Sequence, residues 1–151
     1  MSPKQYWKNE SRQQIIRYVF LFIFALSLTN VACNSKPNIN STHVVVADRF
    51  AGALAKENFD KAHDLLTRTA KEMLPASALK KQYKEMTDYG SGPATHVEVI
   101  RDLSTWSGKQ KDDVAWVYVA ISGDNFSEAV TVIVTREDGQ ERIRSVEWGR
   151  P

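Results

Sequence analysis

The sequence predicts an α+β domain in which three to four N-terminal helices pack on a curved four-stranded antiparallel meander. Apolar residues recur about every four positions between residues 43 and 90 and about every two positions between residues 94 and 149. Two short polar turns, Gly123-Asp124-Asn125 and Asp138-Gly139, separate apolar runs of strand length in the second half. A change of period from helix to strand, followed by tight turns, is typical of this fold class.

The first helix is indicated by Val46, Phe50 and Leu54, whose spacing of four residues predicts a helix over roughly residues 43–57. Asn58 follows as a residue that can cap a second helix. The apolar residues that this second helix would bury are Ala62, Leu65 and Leu66.

The helical half continues after a break at residues 67–69, with a helical turn over residues 70–74 that Pro75 ends. Pro75 is also suited to the start of a further helix, because its fixed φ is compatible with a first helical turn. Gly90 is the expected stop of that helix. Its apolar stripe has spacings of four and three: Leu79, Tyr83 and Met86.

Four strands are predicted in the second half, at residues 95–107, 114–122, 126–136 and 140–148. The strand at residues 114–122 is apolar on both faces, whereas an antiparallel strand with one face in water normally alternates. We expect helices to cover one face, and a curled sheet end, a ligand or another subunit to cover the other.

The N-terminus has the order of a secretory signal: a basic segment, the apolar run at residues 18–26, and small residues. The run is shorter than the roughly 20 residues that cross a bilayer. Val31-Ala32-Cys33 resembles the end of a bacterial lipobox, although Asn30 stands where Leu is usual. The interpretation is a signal peptide over residues 1–32, a lipid such as palmitate on Cys33, and a flexible tether over residues 33–42. A signal cleaved without lipidation and an uncleaved anchor remain open.

Charge and cysteine content exclude several function classes. The chain has a formal charge of +2, but residues 1–32 hold four basic residues and one acidic residue, which leaves 16 basic and 17 acidic residues beyond them. A domain without a basic excess does not neutralise a phosphate backbone, so we expect no nucleic-acid binding. One cysteine excludes an internal disulfide and a cysteine-rich zinc site. The three histidines lack metal-ligand spacing, and no metal or other cofactor is expected.

The pattern of elements resembles the nuclear transport factor 2-like superfamily, in which helices form a cone against a curved sheet. The resemblance rests on the opening helix, on the turn at Asn58-Phe59-Asp60-Lys61-Ala62, and on the final segment Ile143-Arg144-Ser145-Val146-Glu147-Trp148-Gly149. It covers roughly residues 43–150. The superfamily includes isomerases, dehydratases, dimerisation modules and envelope lipoproteins, so the resemblance implies a fold and not one activity.

The candidate site residues are mostly aromatic. Five of them are expected to line a pocket for an apolar small molecule or, alternatively, to fill the core: Tyr89, Trp106, Trp116, Tyr118 and Trp148. His96 and Glu98 share a strand face and are either a general-base pair or a solvated surface. No catalytic residue is assigned, because the sequence holds no recognisable catalytic motif.

The first functional hypothesis is an exported, non-catalytic binding or interaction module, held at a membrane of the bacterial cell envelope or periplasm by its lipid. Its sheet would contact a second copy or another protein. Two alternatives stay open. One is a pocket enzyme of isomerase or dehydratase type that uses His96 and Glu98 or an inward-facing Tyr or Asp. The other is an envelope inhibitor or immunity-type protein.

Overall fold

The computed structural model describes residues 37–150; the predicted signal peptide and Cys33 lie outside these described residues. Within residues 37–150, four helices precede four strands, which confirms the predicted α+β class. The helices are α1 (Thr42–Ala55), α2 (Phe59–Asp64), α3 (Arg68–Met73) and α4 (Ala76–Thr87). The strands are β1 (Ala94–Leu103), β2 (Asp113–Gly123), β3 (Ser127–Glu137) and β4 (Gln140–Trp148). None of the helices within residues 37–150 has the length and apolar composition that a bilayer-spanning helix needs.

The three later helices begin at residues whose chemistry suits a helix start. The Asn58 side chain accepts a hydrogen bond from the N–H of Lys61 at 3.2 Å, and Thr67 accepts one from the N–H of Ala70 at 3.2 Å. These bonds satisfy amides that have no partner inside the helix. Pro75 precedes α4 with a φ of −62°, which is close to the helical value.

The sheet has the simple order β1-β2-β3-β4, and every neighbouring pair is antiparallel. Its register shifts once or twice in each pair, for example between Val99 and Arg101 of β1 and between Ile133 and Val134 of β3. Such irregularities bend a strand and increase its twist. The α2–α3 connection joins the edge strand β4, because the Ile143 N–H donates to the Leu65 carbonyl at 3.0 Å.

The core fills the space between the helices and one face of the sheet. Phe50, Leu54 and Leu79 of the helices are fully buried there. The sheet contributes residues of β2 and β3 that are each 0% exposed: Val117, Val119, Ile121, Val130, Val132 and Val134. Burying one such side chain stabilises a fold by about 1.5–3 kcal/mol. This face of the sheet is therefore buried against the helices and stabilises the fold.

The prediction that Trp106 lies on a strand is wrong. β1 ends at Leu103, and Trp106 belongs to the β1–β2 connection. The Lys109 ammonium lies 5.4 Å from the centroid of the Trp106 ring and donates to the Ser104 carbonyl at 2.6 Å. Gly108 has a φ of +84°, a conformation that reverses the chain here and that side chains disfavour. Local turn chemistry thus ends the strand before the aromatic residue.

Candidate interaction surface

The five aromatic candidates are divided between two sides of the sheet and one loop. Trp148 packs against the core on the helix-covered side, and Tyr89 follows the end of α4. Trp116 and Tyr118 lie on the opposite side, because they alternate along β2 with residues that point into the core. Trp106 is in the β1–β2 connection. The structure therefore brings Tyr89 near Trp148 and Trp116 near Tyr118. Neither the groove beside α4 nor the groove where α1 meets α2 is lined by all five.

The outer face is the side of the sheet that carries Trp116 and Tyr118, and it consists of cross-strand rows set by the register. One row runs across all four strands: Arg101, Tyr118, Thr131 and Glu147. A neighbouring row is Leu103, Trp116, Ile133 and Ser145. Residues directly opposite one another on neighbouring strands point to the same side of a sheet. The centre of the outer face is consequently aromatic and apolar.

The Trp116 and Tyr118 rings form the centre of this surface. Their centroids are 6.1 Å apart and their planes are inclined by only 8°. Parallel aromatic rings at this distance attract one another by about 0.5–1.5 kcal/mol beyond the area they bury. Both residues remain partly exposed, while Thr131 and Ile133, opposite them on β3, are 5% and 6% exposed. The pair forms a stacked aromatic patch that is partly open to solvent.

Charged residues border the patch on both edge strands. Arg101 on β1 and Glu147 on β4 are exposed and form no ion pair with another of the described residues. His96 and Glu98 lie nearby on β1, 3.5 Å apart, with about three fifths of each side chain exposed. A general-base pair works best where water is excluded, and these two residues occupy an open strand surface.

A buried ion pair joins β2 to β4, and no local sequence signal indicates it because its two residues are 31 positions apart. Arg144 donates to both carboxylate oxygens of Asp113, at 2.8 and 2.9 Å, and the Asp113 side chain is fully buried. The Gln110 N–H adds a third bond at 2.8 Å. Burial raises the pKa of Asp113, but these hydrogen bonds and the guanidinium charge outweigh it and hold the pKa below its ordinary value of 3.8. The ion pair links β2 to β4 across the intervening strand β3. It thereby fixes the end of the sheet beside Trp116.

A serine, a histidine and an aspartate also meet at the start of α1. The His43 Nε2 atom lies 3.1 Å from Asp102 and 3.3 Å from the Ser41 hydroxyl. A catalytic triad needs both ring nitrogens, one for the acid and one for the nucleophile. Here a single nitrogen meets both groups, and the Ser41 hydroxyl donates to the Asn38 carbonyl at 2.6 Å. The arrangement ties α1 to β1 and does not activate a nucleophile.

Two open grooves lie elsewhere on the described residues. One, of about 460 Å³, lies beside α4 and includes Tyr89 and Trp148. The other, of about 420 Å³, lies where α1 meets α2, beside the start of α4. Among residues 37–150, no three His, Cys, Asp or Glu side chains are grouped to hold a metal ion. Comparisons of the chain with protein families, curated proteins and solved structures find no match.

Proposed function

We propose that this chain is a non-catalytic interaction module of the bacterial cell envelope that binds a second copy of itself through the outer face. A lipid on Cys33 would hold it at the membrane, as the N-terminal sequence indicates. The observation that carries the proposal is the self-complementary charge pattern of one cross-strand row. In that row Arg101 and Glu147 stand at opposite ends and Tyr118 lies between them.

The geometry of a two-fold dimer explains why this row matters. When two identical sheets face each other about an axis parallel to the strands, β1 of one copy lies over β4 of the other. Arg101 and Glu147 are at the same level along the strands, so each arginine then meets the glutamate of the other copy. Packed sheets rotate by about 30° relative to each other, which these long side chains can follow. In the dimer, both charged side chains gain ion-pair partners that they lack among the described residues of the monomer.

The size and chemistry of the outer face are also compatible with a dimer. Four strands of this length, spaced about 4.8 Å apart, present on the order of 600 Å² before side-chain relief is counted. Stable interfaces bury about 800 Å² per partner and combine an apolar, often aromatic, centre with a polar rim. Trp116 and Tyr118, which are partly exposed, supply the centre. The charged residues of β1 and β4 supply the rim.

The test is a charge exchange measured by sedimentation of the full chain in detergent micelles. Arg101→Glu and Glu147→Arg each place two like-charge pairs in the dimer, and each should raise its dissociation constant at least about tenfold. The double variant Arg101→Glu/Glu147→Arg restores attraction and should dimerise nearly as the wild type does. Lys80→Glu, an exposed reversal on α4, is the matched control and should leave the dimer unchanged.

Two outcomes would contradict the proposal. The first is a wild-type chain that remains monomeric at tens of micromolar, and the second is a double variant that dimerises no better than the single ones. Circular dichroism of every variant verifies that the fold is retained. A dimer that Lys80→Glu weakens as strongly as Arg101→Glu would place the interface on the helices.

A further inference from the structure

The groove beside α4 combines one side of a helix with the ends of two strands. Gln82, Glu85 and Met86 have spacings of three and four, which place them on one side of α4. Glu128 and Trp148 come from β3 and β4. Trp148 stands directly opposite Val130, and Glu128, two residues before Val130, points to the same side of the sheet. Tyr89, just beyond α4, completes the lining.

The lining has the chemistry of a cation site. Two carboxylates, of Glu85 and Glu128, face a groove that also holds two aromatic rings. Glu85 has a single ion pair, at 3.8 Å to Lys81, in which both side chains are more than half exposed and which water therefore screens strongly. Glu128 forms no ion pair with another of residues 37–150. Aromatic faces attract ammonium and guanidinium groups, and carboxylates accept their hydrogen bonds.

The tyrosine in this groove is exposed but held in place. Tyr89 is 64% exposed, yet its hydroxyl donates to the Ser127 carbonyl at 3.2 Å and accepts from the Ser127 N–H at 3.1 Å. The Asn125 amide also donates to the Ser91 hydroxyl at 2.9 Å, which ties the same segment to the β2–β3 turn. A surface aromatic ring fixed by hydrogen bonds loses little further freedom when a ligand binds.

Gln82 supplies a further acceptor. Its Oε1 atom is shielded from solvent and accepts no hydrogen bond from the described residues. Rotation of the terminal amide toward the groove consequently breaks no bond of that oxygen. A donor N–H of a ligand would satisfy it, whereas an anion or an apolar ligand would not.

We propose that this groove binds an alkylammonium or guanidinium group, either in a free amine or on a lysine or arginine side chain of a partner. Trp148 and Tyr89 provide aromatic contact, Glu128 and Glu85 provide charge, and Gln82 accepts a hydrogen bond. This groove is separate from the outer face, so failure of cation binding would not bear on the proposed dimer, and failure of the dimer would not bear on cation binding.

The experiment follows Trp148 by ¹⁹F NMR in the full chain labelled with 5-fluorotryptophan. The chain has four tryptophans and therefore gives four signals. Trp148→Phe identifies its signal. We expect n-butylammonium and n-butylguanidinium to shift that signal in a saturable way, and 1-butanol at equal concentration to leave it in place. Glu128→Gln should raise the dissociation constant about tenfold, since it removes a charge-assisted contact. Glu72→Gln, an exposed carboxylate on α3, is the matched control.

Further arms distinguish the source of the cation and guard against misfolding. Tighter binding of Nα-acetyl-lysine methylamide than of n-butylammonium would assign the groove to a partner's side chain, and weaker binding would assign it to a free amine. If Glu128→Gln does not fold, Glu85→Gln replaces it, because Glu85 also lines the groove and its side chain is largely exposed. The proposal is overturned if neither cation moves the Trp148 signal, if 1-butanol moves it equally, or if Glu72→Gln weakens binding as much.

Discussion

Gly90 lies against Phe126 so closely that a Cβ atom at position 90 would be 2.5 Å from the Phe126 Cβ atom. A Cβ at Gly123 would likewise come within 2.6 Å of the Phe126 ring and of the Pro93 carbonyl oxygen. Phe126 is 5% exposed and packs against both glycines. This contact joins the segment after α4 to the β2–β3 turn.

Gly90→Ala should destabilise the domain by about 1–3 kcal/mol, because the new methyl group displaces either the loop or the Phe126 backbone. The measurement is the urea midpoint followed by circular dichroism. Gly52→Ala is the matched control. Gly52 lies in α1 with open space around a Cβ, so alanine there should stabilise by about 0.5–1 kcal/mol. Equal midpoints for the two variants would contradict the close contact at Gly90.

Asp113→Asn should cost about 2–3 kcal/mol near neutral pH, because the variant keeps the shape but removes the charge that Arg144 binds. Asp112→Asn is the control. The exposed Asp112 uses its backbone carbonyl, which accepts from Arg136 and Thr135, and its side chain should be replaceable at little cost.

The same ion pair predicts how stability depends on acid. The native pKa of Asp113 lies below the ordinary 3.8, so the unfolded chain takes up a proton first as pH falls. The stabilisation is complete above about pH 5 and is lost as pH falls through 3.8 toward the native pKa. Urea unfolding at pH 6 and pH 3 should show the difference between wild type and Asp113→Asn shrinking. A difference that stays constant would contradict this assignment.

Tyr83 predicts a dependence at the alkaline end. Burial, and secondarily the negative charge of Glu57, raises the pKa of Tyr83 above its ordinary value of 10.0. The unfolded chain therefore loses this proton first, and the contribution is present below pH 10.0 and lost as pH rises above it. Tyr83→Phe, which cannot ionise, should lose less stability between pH 9 and pH 11 than wild type. Parallel losses in both chains would show that Tyr83 is not the responsible group.

Cys33→Ser tests the anchor. If a lipid on this cysteine holds the protein at the membrane, the variant should move from the membrane to the soluble fraction and lose the mass of the acyl chains. Cell fractionation and mass spectrometry provide the measurements. Ser35→Ala, two residues later, is the control for a local change of sequence. Identical fractionation and mass for Cys33→Ser and wild type would contradict lipidation.

Local signals predicted most of the fold. The capping role of Asn58, the helix start after Pro75 and the helical stripe of Leu79 and Tyr83 each depend on residues within one or two turns. Where a competing local signal was missed, the prediction failed: the turn around Gly108 ends β1 before Trp106.

The candidate site was less predictable because its pairings are distant in sequence. Asp113 and Arg144 are 31 residues apart, and only the strand register brings them together. The position of Arg101 and Glu147 at opposite ends of one cross-strand row likewise depends on the registers of three neighbouring strand pairs. Each of these registers has at least one irregularity. An apolar pattern predicts that β2 has two covered faces, but it does not predict which charges border them.

If the domain is anchored through Cys33, as proposed, the link from His43 to Asp102 has a mechanical consequence. Tension on the chain before Asn38 reaches the fold at the first turn of α1, where Ser41 and His43 are bonded to their neighbours. Part of the load then passes through Asp102 into β1 and is shared along its hydrogen bonds to β2. Under such a pull, the first turn of α1 would separate only together with its contact to β1, and the domain would resist as a helix–sheet unit.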